Sequence, residues 1–245
     1  MNSIIQSLFT RKSVRSYVQK PIDPQLKQQI LLSAMQAPTA GNQQLYTVLD
    51  ITDEALKQQL SVTCDNQPFI ATAPMVLVFI ADPLKWVDAY RAAGCSPRPI
   101  GPGDLLLSMQ DAVIAAQNAV TAAWSLGIGS CYIGDIMENA EQHRQVLNLP
   151  PEVMPATMVV FGYPTDQQMQ RTKPERCPLE YMVHENAYHR LTDAQLQRML
   201  APHIGRKSYA EWVSAFCSRK FDSDFARELN RSAQVYLQSL APDIK

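Results

Sequence analysis

The chain has 245 residues, with 22 Lys and Arg against 23 Asp and Glu and a formal net charge of -1. That balance argues against a general nucleic-acid binder, which needs a basic excess to neutralise phosphates. With 46% hydrophobic and 18% charged residues, the chain can build a sizeable core and is too weakly charged to be disordered. The five cysteines, Cys64, Cys95, Cys131, Cys177 and Cys217, are odd in number and form no CxxC pair. They point to reduced thiols in a cytoplasmic protein rather than to a disulfide framework or a zinc ribbon, and no metal site is expected.

The amino terminus reaches Arg11 and Lys12 before any apolar stretch long enough for a signal-peptide core, so no export is implied. Residues 3–10 read as a first helix and 23–35 as a second. Pro24 suits a first helical turn, and Leu26, Ile30, Leu31 and Ala34 share one face. Ala37-Pro-Thr-Ala-Gly-Asn-Gln-Gln44 follows as a polar loop. Strands are expected at 48–51, 75–81, 131–133 and 158–161, and the second and fourth are apolar enough to be buried on both faces.

Residues 105–126 form the one long apolar run, and its length alone would span a bilayer. Gln110, Asp111, Gln117 and Asn118 interrupt it, and Asp111 would cost roughly 2.5 to 3.5 kcal/mol at a bilayer centre. The run is predicted instead to be a fully buried helix of a soluble protein or of its subunit interface, stopped by Gly127. Another helix is expected over 138–147. Strands and helices do not alternate regularly, which favours an α+β architecture. Beyond Pro202 two amphipathic helices are predicted, one from Tyr209, Trp212, Val213 and Phe216, the other from Phe225, Leu229, Tyr236 and Leu240.

Several motifs fail on context. Gly127, Gly129 and Gly134 give GxGxxxxG between a helix and a strand, the reverse of the strand-turn-helix order a dinucleotide fingerprint requires. His184-Glu185 and His189 miss the HExxH spacing by one residue, and no Gly-x-Ser-x-Gly elbow is present. The cluster Arg11-Lys-Ser-Val-Arg15 is either a solvated charged turn or an anion site, since two Arg and a Ser hydroxyl offer charge-assisted donors to a phosphate. Lys173-Pro-Glu-Arg176 is a second cationic group.

Arg11-x-Ser-x-Arg15-x-Tyr17, the 37–44 loop, the Ala-rich helix running to Ser125-Leu-Gly-Ile-Gly129, Tyr132-Ile-Gly134, Gly162-Tyr-Pro164, Lys173-Pro-x-Arg176 and Val183-His-Glu-Asn186 come in an order that resembles the nitroreductase family over roughly the first 190 residues. The closest likeness is to its NADPH-preferring, oxygen-insensitive nitroreductase and flavin reductase subgroup. The resemblance implies a three-layer α+β fold with a central mixed, mostly antiparallel sheet and a long dimer-interface helix. It also implies a domain over 1–200 and a helical extension over 201–245 that wraps the partner of a homodimer.

The same resemblance implies FMN at the subunit interface and NADPH or NADH as co-substrate. Two electrons would pass by a ping-pong mechanism to nitroaromatics, quinones or free flavin, with no catalytic side chain because the flavin carries the chemistry. Arg11, Lys12 and Ser13, with Lys173 and Arg176, would surround the FMN phosphate. Arg15 would face the N1 edge of the ring, and Gln67 the pyrimidine edge. Tyr132, Ile133 and Gly134 would bring a backbone N–H to N5, with Asp135 replacing a common Gly. Thr39, Ala40, Gly41, Asn42 and Gln44 would come from the other subunit. Arg219 and Lys220 fall where the subgroup grips the 2'-phosphate of NADPH, against solvated helix charges as the plain alternative. Two other functions stay open at this point: a flavin-storing or sensing protein, and a dehalogenase-like member of the fold.

Overall fold

The structure, a computed structural model, describes residues 1–240. In chain order the helices and strands are α1 (Ser3–Thr10), α2 (Pro24–Met35), β1 (Tyr46–Asp50), α3 (Glu54–Thr63), α4 (Pro68–Ala71), β2 (Met75–Ala81), α5 (Leu84–Ala92), α6 (Pro102–Ser125), β3 (Gly129–Ile133), α7 (Ala140–Val146), β4 (Met154–Gly162), α8 (Asp166–Gln170), α9 (Asp193–Ile204), α10 (Tyr209–Lys220) and α11 (Asp224–Gln238). They fall into two units, one of residues 1–171 and the chain from Glu228 onward, the other Thr172–Arg227. The 200/201 division expected from the resemblance lies inside α9, whose first turn is closed by a capping box between Thr192 and Gln195.

In the first unit the sheet order is β1-β2-β4-β3, with every neighbouring pair antiparallel. The parallel component of the expected mixed sheet is confined to a single bridge, Ser13 to Ser130. Every residue of β2 and β4 is buried, as their continuous apolar runs require. Met75, Leu77, Phe79 and Ala81 face a core shared with α6 and α2, whereas Val76, Val78 and Ile80 face a second core with Leu60, Ile70 and Ile136. Two cores on one sheet make three layers.

Within the single chain the long helix is buried on one face. Leu105, Asp111, Ala112, Ala115, Ala116, Ala119, Val120 and Ala123 of α6 are buried, but Leu106, Val113 and Ile114 are 58%, 42% and 39% exposed. The small alanines let the helix lie close on the sheet, while the longer aliphatic side chains project the other way. α1 buries none of its residues and exposes Ile4, Ile5, Leu8 and Phe9, and α2 exposes Leu32 and Met35. Much of the hydrophobicity of α1, α2 and α6 therefore lies on an outer face of this unit.

From Glu228 onward α11 is fastened to α7. Arg231 makes paired contacts with Glu141 at 2.8 Å and contacts with Glu228 at 2.8 Å, and the Ala140 amide donates to Ser232 Oγ at 3.0 Å. Tyr236 is 1% exposed under the Arg144 guanidinium, 4.7 Å from its ring centroid. In the second unit α9 and α10 bury no residue completely, and their order comes from caps and ring stacking.

Candidate cofactor site

The segment after α1 crosses the ends of β3 and β4. Val14 N donates to Ser130 O at 2.9 Å, Val18 N to Tyr163 O at 2.8 Å, and the buried Tyr17 hydroxyl to Val14 O at 2.7 Å. Two glycines let it lie that close. A Cβ on Gly129 would stand 2.6 Å from Val14 Cγ2, and one on Gly162 would stand 2.6 Å from Tyr17 Cδ1. Gly127 is the αL residue that ends α6, at φ +75°. The Gly127-x-Gly129 pair therefore stops a helix and admits a neighbouring chain.

With Val14 and Tyr17 pinned inward, Ser13 and Arg15 are left on the exposed side. Burial pushes the Cys131 thiol up, and Arg15, Ser13 and Arg11 oppose that rise. Burial likewise pushes Tyr132 up to about 12 against the Arg11 charge. The Ser13–Ser130 bridge and the Val14–Ser130 hydrogen bond lay this segment along β3, where Arg15, Ser13 and Arg11 bear on Cys131 and Arg11 on Tyr132. Lys12 is engaged elsewhere: its ammonium donates to the Met169 carbonyl in the last turn of α8 and to the Arg171 carbonyl just past it, the latter at 2.6 Å. Buried Gln168 of α8, which sequence reasoning missed, accepts from the Arg15 amide at 3.2 Å and fixes the loop.

Ile133 is buried, and Gly134 emerges exposed at the end of β3. A Cβ there would meet nothing within 4 Å, so this backbone borders open space. Gln67 and Asp135 flank the same region through Cys64. The Gln67 amide donates to Cys64 O at 2.8 Å, and Asp135 with Glu138 adds to the burial that raises the Cys64 thiol.

The 39–44 loop is held from α6. Buried Asp111 accepts from Thr39 Oγ1, from Ala40 N at 3.2 Å and from Leu45 N at 3.1 Å, while Gln44 N donates to Thr39 Oγ1 at 2.7 Å. Gly41, Asn42 and Gln44 adopt positive φ of 57°, 57° and 51°. Asp111 looked in sequence like an interruption of an apolar helix. It is the loop's anchor.

Lys173 and Arg176 lie in the second unit, Arg176 exposed. Arg219 sits over the Phe216 ring at 5.3 Å, and Lys220 ends α10, where a cation complements the helix dipole.

The donor set of two guanidiniums and a hydroxyl beside an open backbone edge fits a flat, phosphate-bearing cofactor such as FMN. A family-level profile matches residues 8–163, and its description is the nitroreductase family. The chain belongs to the nitroreductase family. It is 31% identical over 242 residues to an FMN reductase [NAD(P)H] of Bacillus subtilis, covering 98% of this chain and 93% of that one. It is 33% identical over 199 residues to an oxygen-insensitive NADPH nitroreductase of Salmonella typhimurium, covering 81% and 80% of the two chains. Among solved structures, nitroreductase A of Vibrio parahaemolyticus superposes with a TM-score of 0.81 at 26% identity, over 96% of this chain and 98% of that one. The NADPH:FMN oxidoreductase of Vibrio harveyi complexed with NAD+ gives 0.77 at 25% identity, over 94% and 98%.

Proposed function

We propose that this nitroreductase-family chain carries FMN against Arg11, Ser13, Arg15 and Gly134 and reduces small flat acceptors, nitroaromatics, quinones or free flavin, by a ping-pong exchange at one place. The chain is an FMN-dependent oxidoreductase that works with NAD(P)H. The observation that supports the site assignment is the 11–15 segment, laid along β3 by the Ser13–Ser130 bridge and the Val14–Ser130 hydrogen bond, on the strand that ends at the open Gly134 backbone.

Bound FMN supplies the two-electron chemistry that takes electrons from NAD(P)H and delivers them to the acceptor. The side chains bind and tune. Arg11 and Ser13 hold the phosphate by charge-assisted hydrogen bonds. Arg15, fixed through Gln168, places a guanidinium where reduction concentrates negative charge. Gly134 lets backbone approach a flat ring without a side chain in the way.

A homodimer follows from the outer face of the first unit. Leu106, Val113 and Ile114 of α6, Leu32 and Met35 of α2, and Ile4 and Phe9 of α1 are exposed, and exposed apolar patches mark interaction surfaces. The second copy covers it, and the 39–44 loop, anchored on that same α6, reaches the partner's cofactor. Arg219 and Lys220 of the second unit are assigned to the 2'-phosphate of NADPH. No helix among the described residues is long and apolar enough to cross a membrane, and the free thiols support a cytoplasmic location.

The purified protein should be yellow with about one FMN per chain, bleach anaerobically on adding NADPH, and recover on adding a quinone or nitroaromatic. A protein that stays colourless with added FMN refutes the site; one that binds FMN but is not bleached refutes the turnover.

A further inference from the structure

The five thiols sit in different surroundings. Cys64 and Cys131 are buried, and burial pushes both up, aided at Cys64 by Asp135 and Glu138. Cys217 Sγ donates to Asp222 Oδ2 at 3.4 Å, and that carboxylate pushes its thiol up as well. Cys95 is exposed, and its thiol has no hydrogen-bond partner among the described residues. Cys64, Cys95 and Cys131 lack either access to solvent or a base, and at the partly exposed Cys217 the Asp222 carboxylate disfavours the thiolate.

Cys177 combines both. It is partly exposed, and its Sγ lies 3.6 Å from Nε2 of His203. In the tautomer protonated at Nδ1, Nε2 accepts the S–H. The imidazole is itself seated: its ring stacks on Trp212 at 6.3 Å and 21°, and Trp212 stacks on Phe216 at 4.9 Å and 15°. A nucleophile, a base within reach and a group that orients the base are the elements of an activated thiol. All of them belong to the Thr172–Arg227 unit. They play no part in the flavin chemistry assigned above.

We propose that Cys177 is a peroxide-reactive modification site, with His203 as its proton acceptor. The sulfur attacks one oxygen of hydrogen peroxide, forming an S–O bond as the O–O bond breaks. The thiol proton passes to His203 Nε2 and on to the departing hydroxide, which leaves as water. Cys177 loses two electrons and becomes a sulfenic acid, and the peroxide is reduced. The thiol reaction does not depend on the flavin site proposed above.

The holoenzyme is treated at neutral pH with hydrogen peroxide and dimedone, and labelling of each cysteine-containing peptide is followed by mass spectrometry. Cys177 should label at least about tenfold faster than the more exposed Cys95, the range a positioned base supplies. His203→Asn should bring Cys177 down to the Cys95 rate while leaving Cys95 itself unchanged. Equal or faster labelling of Cys95 in the wild-type protein overturns the proposal, and that comparison needs no variant. So does an unchanged Cys177 rate in a His203→Asn protein whose far-UV circular dichroism matches wild type. Because labelling is read without turnover, its failure is distinct from failure to bind or reduce FMN.

Discussion

Asp111 and Thr39 stand 72 residues apart in sequence and are joined by a side-chain hydrogen bond, one of three that the buried Asp111 carboxylate accepts from the 39–45 segment. Trp86 Nε1 adds a hydrogen bond to Gln43 O at 2.6 Å, while Gly41 and Asn42 are exposed with positive φ. Replacing Asp111 by Ala leaves the Ala40 and Leu45 amides without their acceptor, which costs about 2–3 kcal/mol for buried donors. Asp111→Ala should lower the unfolding free energy read by urea denaturation by that amount and weaken FMN retention. Asp111→Asn, which keeps one acceptor oxygen, should do less of both.

Glycines separate packing from cofactor approach. Gly129→Ala and Gly162→Ala each drive a methyl group to 2.6 Å from Val14 or Tyr17, and such overpacking costs about 1–3 kcal/mol. Gly134→Ala meets nothing within 4 Å. Its thermal midpoint without flavin should match wild type, while its FMN dissociation constant rises, as measured by flavin fluorescence. A Gly134→Ala protein with unchanged FMN affinity would remove Gly134 from the site.

Arg15 and Arg11 should differ in kind. Arg11→Ala should weaken FMN binding more than it slows NADPH-driven bleaching of the flavin that remains bound. Arg15→Ala should slow bleaching more than it weakens binding, because its charge is assigned to the reduced ring rather than to the phosphate. Stopped-flow reduction alongside FMN titration separates the two, and the reverse pattern would exchange their roles.

Where a segment's chemistry is local, the sequence predicts it well. α1 and β2 lie where periodicity places them, and α2 starts at Pro24 behind an Asp23 cap. The helices between β1 and β2, and α5 after β2, were not anticipated. α5 buries no residue and α3 buries only Lys57, Leu60 and Ser61, so neither displays an apolar stripe, although Asp53 capping α3 was a readable signal. The site divides similarly. The Arg11 to Arg15 motif was visible as a run of cations. The work of Asp111, Gln168 and Gly162 was not, because each acts on residues brought to it only by the sheet topology.

Acid and neutral pH should act on this fold through different groups with opposite signs. Arg231 holds both Glu141 and Glu228 down to about 2. Depressed carboxylates contribute stability that is fully present above the unfolded value of about 4.5 and is lost as pH falls toward 2. Arg231→Ala should lower stability above pH 5 and flatten that acid limb. Glu138 is buried near Asp135, Asp65 and Glu228, and burial with those like charges pushes it up to about 7. The folded protein therefore holds the Glu138 proton more tightly than the unfolded chain, so stability falls as pH rises from about 4.5 to about 7. Glu138→Gln abolishes that ionisation and should gain about 3 kcal/mol over wild type at pH 8 relative to their difference at pH 4. Urea denaturation of the two variants across pH 3 to 8 reads both limbs. A Glu138→Gln protein whose stability tracks wild type at every pH would mean that Glu138 is ionised at no cost to the fold.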